Sequence, residues 1–412
     1  MASLLQPRKF LVAAFLLAMT FCNLALLFRV TPRLRNGYQD FTIFYTSGRL
    51  LRSGEASSLY NLATQYRMQL SFTHVPIRQG PLPFNHPPFE ALLFVPFTML
   101  DYWPAYLLWT GLNLIMLAAS VTLLRRHFSE LAAVSPLVLG LGAIAFFPVA
   151  IGIIQGQDVI LLLLPFVLAI IALDRGNDAA AGALLAAGLF RPHVVVPLVV
   201  FFAIRRWRVL AGFTPVALIL GAISVAIMGW RGPLEYARFV LHLEGTGARG
   251  FGVEAVPNLR GLVEQLPGLG PSGRWAALLI VASSLVVSFV TLRRIRYGRD
   301  SVIFVSVLAA VTTILISFHA LVYDVSLLLP LVLFLLSRTL GVLPHRAKSG
   351  RDGDPTGAKI DAGTILLFTL LLLTPLYVFL GMVVDRFVWF SLILLWLYLR
   401  LVLSPAPAES PA

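Results

Sequence analysis

Acidic side chains are scarce in this sequence, 19 Asp and Glu against 32 Lys and Arg, and charged residues of both signs make up only 12% of its 412 residues. With so little charge, 58% hydrophobic residues and a mean hydropathy of +0.86, an ordinary soluble globule is excluded. Cysteine is nearly missing too. Cys22 stands alone, which excludes an intramolecular disulfide and any CxxC or multi-cysteine metal site. No P-loop occurs and no glycine fingerprint opens from a strand pattern, which argues against a nucleotide-driven enzyme. No HExxH and no closely spaced carboxylate set is visible along the chain, so the sequence by itself calls for no metal and no other cofactor. A repeat of fixed period is also missing.

What is present in abundance is long apolar runs. A hydrocarbon layer of about 30 Å needs roughly 20 apolar residues per helical span. Runs of that kind lie near 9–29, 104–124, 131–154, 158–173, 208–229, 275–292, 301–317, 320–340, 362–384 and 387–403, with two short runs at 179–190 and 194–204. Counting the short pair as a hairpin of half-length helices gives about 12 transmembrane helices in an all-α polytopic membrane protein. The first run follows Arg8 and Lys9 but is too long for a signal-peptide core and lacks a small-x-small cleavage site, so it reads as a retained span. The formal charge of +13 comes largely from arginines between spans. Arg125-Arg126, Arg175, Arg205-Arg206-Arg208, the run Arg293 to Arg299 and the stretch His345 to Lys359 then fall on one side, the cytoplasm by the positive-inside rule. Both termini are expected there, in a multi-pass protein of the cell (inner) membrane, and nucleic acid is not an expected partner.

Residues 1–404 read as a single membrane-embedded domain. Two segments are large enough to work outside the membrane, 30–103 and 230–274. The first carries helix-like stretches at Phe41 to Leu51, stopping at Gly54, and around Ser57 to Leu70, and it closes on an apolar run, Phe89 to Leu100, suited to the membrane surface. Residues 344–361 read as a cytoplasmic connector and 405–412 as a flexible tail.

Ionisable groups at or inside a membrane boundary are costly to bury and so mark candidate sites. Asp40, followed by Phe41, Phe44 and Tyr45, places a carboxylate among apolar side chains, where its pKa rises toward the range of a general base; a helix N-cap is the structural alternative. His319 and Asp324 bracket a short turn between two apolar spans, and the alternative is a polar pair joining helices. Arg191-Pro192-His193 sits between the two short runs, where a guanidinium offers a planar fork to phosphate oxygens or simply snorkels to headgroups. Gln157, in Gln155-Gly156-Gln157-Asp158, has an amide suited to sugar hydroxyls, or belongs to a plain turn. Asn85-His86-Pro87-Pro88 is a rigid element whose simplest reading is a proline-fixed turn opening the next helix, and Asn258 in the second outer segment is a weaker candidate.

In order along the chain, several segments resemble those of glycosyltransferase family 87, the polyprenol-phosphate-mannose-dependent alpha-mannosyltransferase type of the GT-C superfamily. They are Asp40-Phe41 with Tyr45 and Gly54, Asn85-His86-Pro87-Pro88-Phe89 with Leu108-Trp109 and Asn113, Gly156-Gln157, Ala181-Gly182 through Gly188 to Arg191-Pro192-His193, and His319 with Tyr323-Asp324 and Leu329-Pro330. The resemblance implies a GT-C-like fold with surface helices in the first outer loop and an extracytoplasmic active site. It implies a polyprenyl-phosphate-sugar donor, a glycolipid or glycan acceptor, and transfer of a hexose, mannose in the family pattern, with inversion. In that scheme Asp40 and His319 are the catalytic candidates, while Arg191, His193, Gln157, Asn85 and His86 are donor-binding. Tyr45, Asp324 and Asn258 are supporting. Arg191 stands where many relatives carry lysine. The rival reading of the residues is a transporter or flippase for a lipid-linked or anionic substrate, which also places charge within a membrane and uses broken helices.

Overall fold

A backbone in hydrocarbon must satisfy its N–H and C=O groups within its own segment, and apolar runs of this length therefore fold as helices. The computed structural model describes residues 2–73, 80–246, 253–266, 273–298, 300–341 and 361–404, and among these it contains helices and turns but no strand. The expected connector at 344–361 and the tail at 405–412 fall almost wholly outside the described residues.

Helix α1 (Ala2–Arg35) leads into a segment of short helices, α2 (Phe41–Arg52), α3 (Leu62–Leu70) and α4 (Pro88–Phe94). Then follow α5 (Tyr102–His127), the single turn α6 (Ser129–Ala132), α7 (Pro136–Ala145), α8 (Phe147–Gln155) and α9 (Val159–Asp174). The short pair α10 (Asp178–Ala186) and α11 (Pro192–Ala203) precedes α12 (Arg208–Met228), α13 (Gly232–Thr246) and α14 (Leu259–Glu264). The chain continues through α15 (Arg274–Tyr297), α16 (Val302–Ile316), α17 (Leu329–Thr339), α18 (Ala362–Leu372), α19 (Thr374–Val378) and α20 (Ser391–Leu403).

Among the described residues, 5 helical stretches are long and apolar enough to cross a membrane, or up to 7 if each of two bent pairs counts as one span. The sequence expectation of about 12 also includes shorter apolar helices such as α9, α11 and α16, which have 16, 12 and 15 residues. Only 6% of the most apolar stretch of α12 and 11% of that of α15 is buried. Side chains such as Leu218, Ile219, Leu285 and Phe289 therefore face outward, an arrangement that only a lipid solvent makes favourable.

Two runs read from sequence as single spans are broken. Residues 131–154 bend by 69° between α7 and α8, and residues 362–384 bend by 55° between α18 and α19. Proline explains both. Pro148 and Pro375 have no N–H for the carbonyls of Ile144 and Leu371 four residues earlier. Asn23 of α1 donates its amide to Ile144 O at 2.9 Å and to Ala145 O at 3.2 Å, while Tyr377 donates its hydroxyl to Leu371 O at 2.8 Å. Thr374 donates to Asn23 Oδ1 at 3.1 Å, so one buried asparagine braces both breaks.

The segment 30–103 also differs in detail from its expected helices. The stretch around Ser57 to Leu70 splits into a 3₁₀ turn, Ala56–Ser58, and α3, because Asn61 caps α3 by accepting from Thr64 N at 2.9 Å. The apolar run Phe89 to Leu100 likewise splits at Pro96 into α4 and a 3₁₀ turn. Phe41, Phe44, Phe84, Phe94, Phe97, Tyr102, Tyr106 and Trp109 form an aromatic core that seats this segment on α5 and on the C-terminal end of α8. At the other end of the chain's short pair, α10 and α12 approach with almost no side-chain spacer. A Cβ on Gly182 would stand 1.9 Å from Val209 O, and one on Gly212 would stand 1.8 Å from Ala179 O.

Candidate active site

Asp40 occupies the N-cap position of α2 but does not cap it. Its side chain makes no capping hydrogen bond, and its backbone is already helical, with φ −66° and ψ −21°. The carboxylate turns instead to Gln157, whose Nε2 donates to Asp40 Oδ2 at 2.5 Å. Asp40 lies between α1 and α2, outside the helices long and apolar enough to cross a membrane. Burial pushes its pKa above the ordinary carboxylate value, and the Gln157 hydrogen bond and the Arg191 charge oppose that shift.

Gln157 reaches Asp40 because α8 ends on a left-handed residue. Gly156 has φ +65°, a conformation that L side chains rarely adopt, and a Cβ there would meet Phe41 Cβ at 2.7 Å. Tyr106 and Trp109 of α5 clamp the turn, donating to Ile154 O at 2.7 Å and Gly156 O at 2.8 Å. Asp158 then takes the N-cap position of α9, and like Asp40 it makes no capping bond. Both side chains are thereby released toward the interior.

Arg191, at the N-cap position of α11, gathers these groups. The residue is 3% exposed, and its guanidinium donates from Nε to Asp158 Oδ1 at 2.6 Å, from Nη1 to Asp324 Oδ1 at 2.5 Å and from Nη2 to Gln157 Oε1 at 2.5 Å. Its carbon also lies 5.1 Å from the centre of the Tyr323 ring. Asp324 is held from behind by Leu321 N, which donates to its Oδ2 at 2.7 Å. Gln157 is thus a two-ended connector, joining Arg191 through its oxygen and Asp40 through its nitrogen. His193 and His319 meet beside this network, their ring centres 5.9 Å apart.

His86 stands just before α4, with its ring against Phe44 and Phe84 at centroid distances of 5.1 and 5.6 Å. Its backbone carbonyl accepts from Tyr60 Oη at 2.8 Å, and Tyr60 in turn packs on Tyr236 and Phe239 of α13, tying the segment 230–274 to the segment 30–103. Nδ1 of His86 lies 2.7 Å from Glu90 Oε2 and 3.5 Å from Asp158 Oδ2. Burial lowers the His86 pKa to about 4, and burial together with the neighbouring Asp158 carboxylate raises that of Glu90 well above its ordinary value.

The structure therefore brings Asp40, His86, Gln157, Arg191 and Asp324 into one connected cluster, with His193 and His319 paired at its side. Tyr45 is not part of it, since its hydroxyl donates to Leu100 O at 2.8 Å and its ring packs on Phe72 and Tyr102. Asn85 is half-buried in the turn before His86. Asn258 caps α14, accepting from Gly261 N at 3.0 Å, and donates to Ser317 O; with Arg260, which donates to Phe318 O at 2.9 Å, it braces the turn that carries His319.

Two members of the neighbourhood are not singled out by the sequence: Glu90 and Asp158. Glu90 stands four residues after His86, a spacing that puts both side chains on one side of the first turn of a helix. Asp158 was visible as the residue after Gln157.

The profile of glycosyltransferase family 87 matches residues 84–317, more than half of the chain. Asn85, His86, Glu90, Gln157, Asp158, Arg191, His193 and Asn258 lie inside the match, whereas Asp40, Tyr45, His319 and Asp324 lie outside it. No curated protein and no solved structure matches the chain.

Proposed function

The chain belongs to glycosyltransferase family 87, and on that premise we propose that this membrane glycosyltransferase moves a hexose, mannose, from a polyprenyl-phosphate donor to an acceptor hydroxyl of a glycolipid or glycan. The site faces the extracytoplasmic side of the cell (inner) membrane, both termini lie in the cytoplasm, and the domain belongs to the GT-C superfamily.

The observation that carries the reading is the state of Asp40. A half-buried carboxylate that forgoes its capping bond, and is held by an amide anchored on a buried arginine, is a group positioned for something other than helix stability. The acceptor oxygen attacks the anomeric carbon, and its proton passes to Asp40 as the new C–O bond forms. The bond from the anomeric carbon to the phosphate oxygen breaks, and its electron pair leaves with the polyprenyl phosphate. A single displacement inverts the centre, so a beta-linked donor yields an alpha product. His319, paired with His193, is the other group able to accept the proton.

Phosphate is the good leaving group here, and the protein's task is to orient the acceptor, take one proton and hold the developing charge. The N-terminal ends of α2, α9 and α11 meet at the cluster, each with the positive end of its dipole turned to the site. Arg191 adds a full positive charge and fixes Gln157, while His86, Asn85 and His193 contribute polar contacts to the donor. Tyr45, Asp324 and Asn258 support the frame.

Sugar transfer from radiolabelled polyprenyl-phosphate-mannose, measured in membranes at matched expression, tests the reading. Wild-type membranes transfer the label and Asp40→Asn membranes do not. Equal transfer by both removes Asp40 from the chemistry and leaves His319 as the base. If wild-type protein transfers nothing from any of a panel of lipid-linked sugars, the transferase reading falls and a transporter takes its place.

A further inference from the structure

We propose that His86, Glu90 and Asp158 form a binding site for one divalent transition-metal cation. Each residue offers one ligand atom, and the three atoms lie within 4.8 Å of one another. A cation with bonds of about 2.1 Å sets neighbouring ligands about 3 Å apart on an octahedron and about 3.5 Å apart on a tetrahedron. The observed separations of 2.7 Å from His86 Nδ1 to Glu90 Oε2 and 3.5 Å to Asp158 Oδ2 fit that spacing.

The same atoms lack other partners. Apart from one another, His86 Nδ1, both carboxylate oxygens of Glu90 and Asp158 Oδ2 have no hydrogen-bond partner among the described residues, and the three side chains are 9%, 0% and 0% exposed. Buried carboxylate oxygens in native proteins are rarely left so. The charge balance points the same way. Glu90, Asp158 and Asp324 are buried and the half-buried Asp40 adjoins them, with one guanidinium, that of Arg191, reaching this cluster among the described residues, so a divalent cation offsets most of an excess that burial makes costly.

The ligands are also held from behind, as metal ligands usually are. The other oxygen of Asp158 is bound by Arg191, the His86 carbonyl accepts from Tyr60, and Phe44 and Phe84 fix the imidazole plane. The imidazole favours a first-row transition ion over Ca²⁺ or Mg²⁺, and the two carboxylates accommodate either the harder Mn²⁺ or the borderline Zn²⁺. Three protein ligands leave coordination positions open, and oxygen atoms of a phosphate suit them. That last use of the ion rests on the transferase reading; the site itself does not. It departs from the sequence reading, in which no local motif called for a metal.

The test uses the purified full chain in lipid nanodiscs, stripped with chelator and titrated with Mn²⁺. The expected result is one bound equivalent, displaced by Zn²⁺, with an electron spin-echo modulation from a directly bound imidazole nitrogen. Glu90→Gln and Asp158→Asn are expected to weaken binding at least about tenfold, and His86→Asn to abolish the nitrogen modulation. Should a variant fail to fold, the nitrogen signal of the wild type decides by itself. No stoichiometric Mn²⁺ or Zn²⁺ binding, or bound Mn²⁺ without nitrogen coupling, overturns the proposal. Binding without any sugar transfer leaves the cation site standing and removes the transferase reading; transfer by metal-free protein that binds no cation does the reverse.

Discussion

Gln157 donates its side-chain amide to Asp40 Oδ2 at 2.5 Å across 117 residues of sequence, while its own oxygen accepts from Arg191. The proposed base is thus oriented through a neutral connector and does not touch the arginine directly. Gln157→Ala removes that connector. A hydrogen bond to a charged group is worth about 1.5–3 kcal/mol, so transfer is expected to fall roughly 10- to 100-fold at equal expression, with Gln157→Glu at least as impaired because it sets a second carboxylate against Asp40. Initial rates in nanodiscs check this, and an unchanged rate detaches Gln157 from the chemistry.

Burial raises the pKa of Asp40 and Gln157 opposes the rise, which gives the pH profile a definite sign. The base works ionised, so kcat/KM climbs with pH through a value above 3.8, the ordinary carboxylate pKa. Loss of the Gln157 hydrogen bond moves that limb further up. Stability runs the opposite way: a raised folded-state pKa means that the folded protein binds the proton more tightly. The Asp40 contribution is therefore present in full below the ordinary pKa and is lost as pH rises through the raised one. A limb that stays put in Gln157→Ala assigns the titration to another group.

Arg191 pairs with two buried carboxylates at once, and breaking a buried pair by removing one partner costs about 3–5 kcal/mol. Arg191→Met is expected to lower thermal stability sharply in detergent, and Arg191→Met combined with Asp158→Asn and Asp324→Asn to recover most of it. Arg191→Lys keeps the charge but not the three-directional fork, and folds with reduced transfer. Fluorescence-detected thermal unfolding separates these outcomes.

Gly156 is the residue that lets α8 end and Gln157 turn inward. Gly156→Ala faces both a φ of +65° and contact with Phe41, an expected loss of about 1–3 kcal/mol for the backbone alone. Activity is predicted to fall further than stability, because the displaced pair is Gln157 and Asp40. A variant with unchanged rate and melting temperature shows that the turn tolerates a side chain after all.

Asn23 holds both helix breaks, accepting from Thr374 and donating to the carbonyls beside the α7–α8 bend. Asn23→Leu leaves the Ile144 carbonyl without its side-chain donor in an apolar interior, at an expected cost of about 1–3 kcal/mol. The loss is read as a lower melting temperature in nanodiscs. Since the asparagine lies in the first helix and touches none of the candidate site residues, the transfer rate of the folded fraction is expected to persist.

The helical class and most element positions follow from the sequence alone, because run length acts locally and a hydrocarbon solvent permits few alternatives. Proline positions were equally readable, but their consequence was not: whether Pro148 bends a helix depends on whether a distant side chain, here Asn23, can take up the carbonyl it leaves free. Asp40, Gln157, Arg191, His86 and Asp324 were each marked by polarity in apolar surroundings, the one signal a single sequence offers for a membrane site. Only the tertiary structure decided that Asp40 is not a cap, that Arg191 is fully engaged by Asp158, Asp324 and Gln157, and that Glu90 belongs with His86 and Asp158. Local chemistry fixes which groups are expensive to bury. Which of them share that cost depends on contacts between residues as far apart as 40 and 157, or 191 and 324, and those distances exist only once the helices have packed.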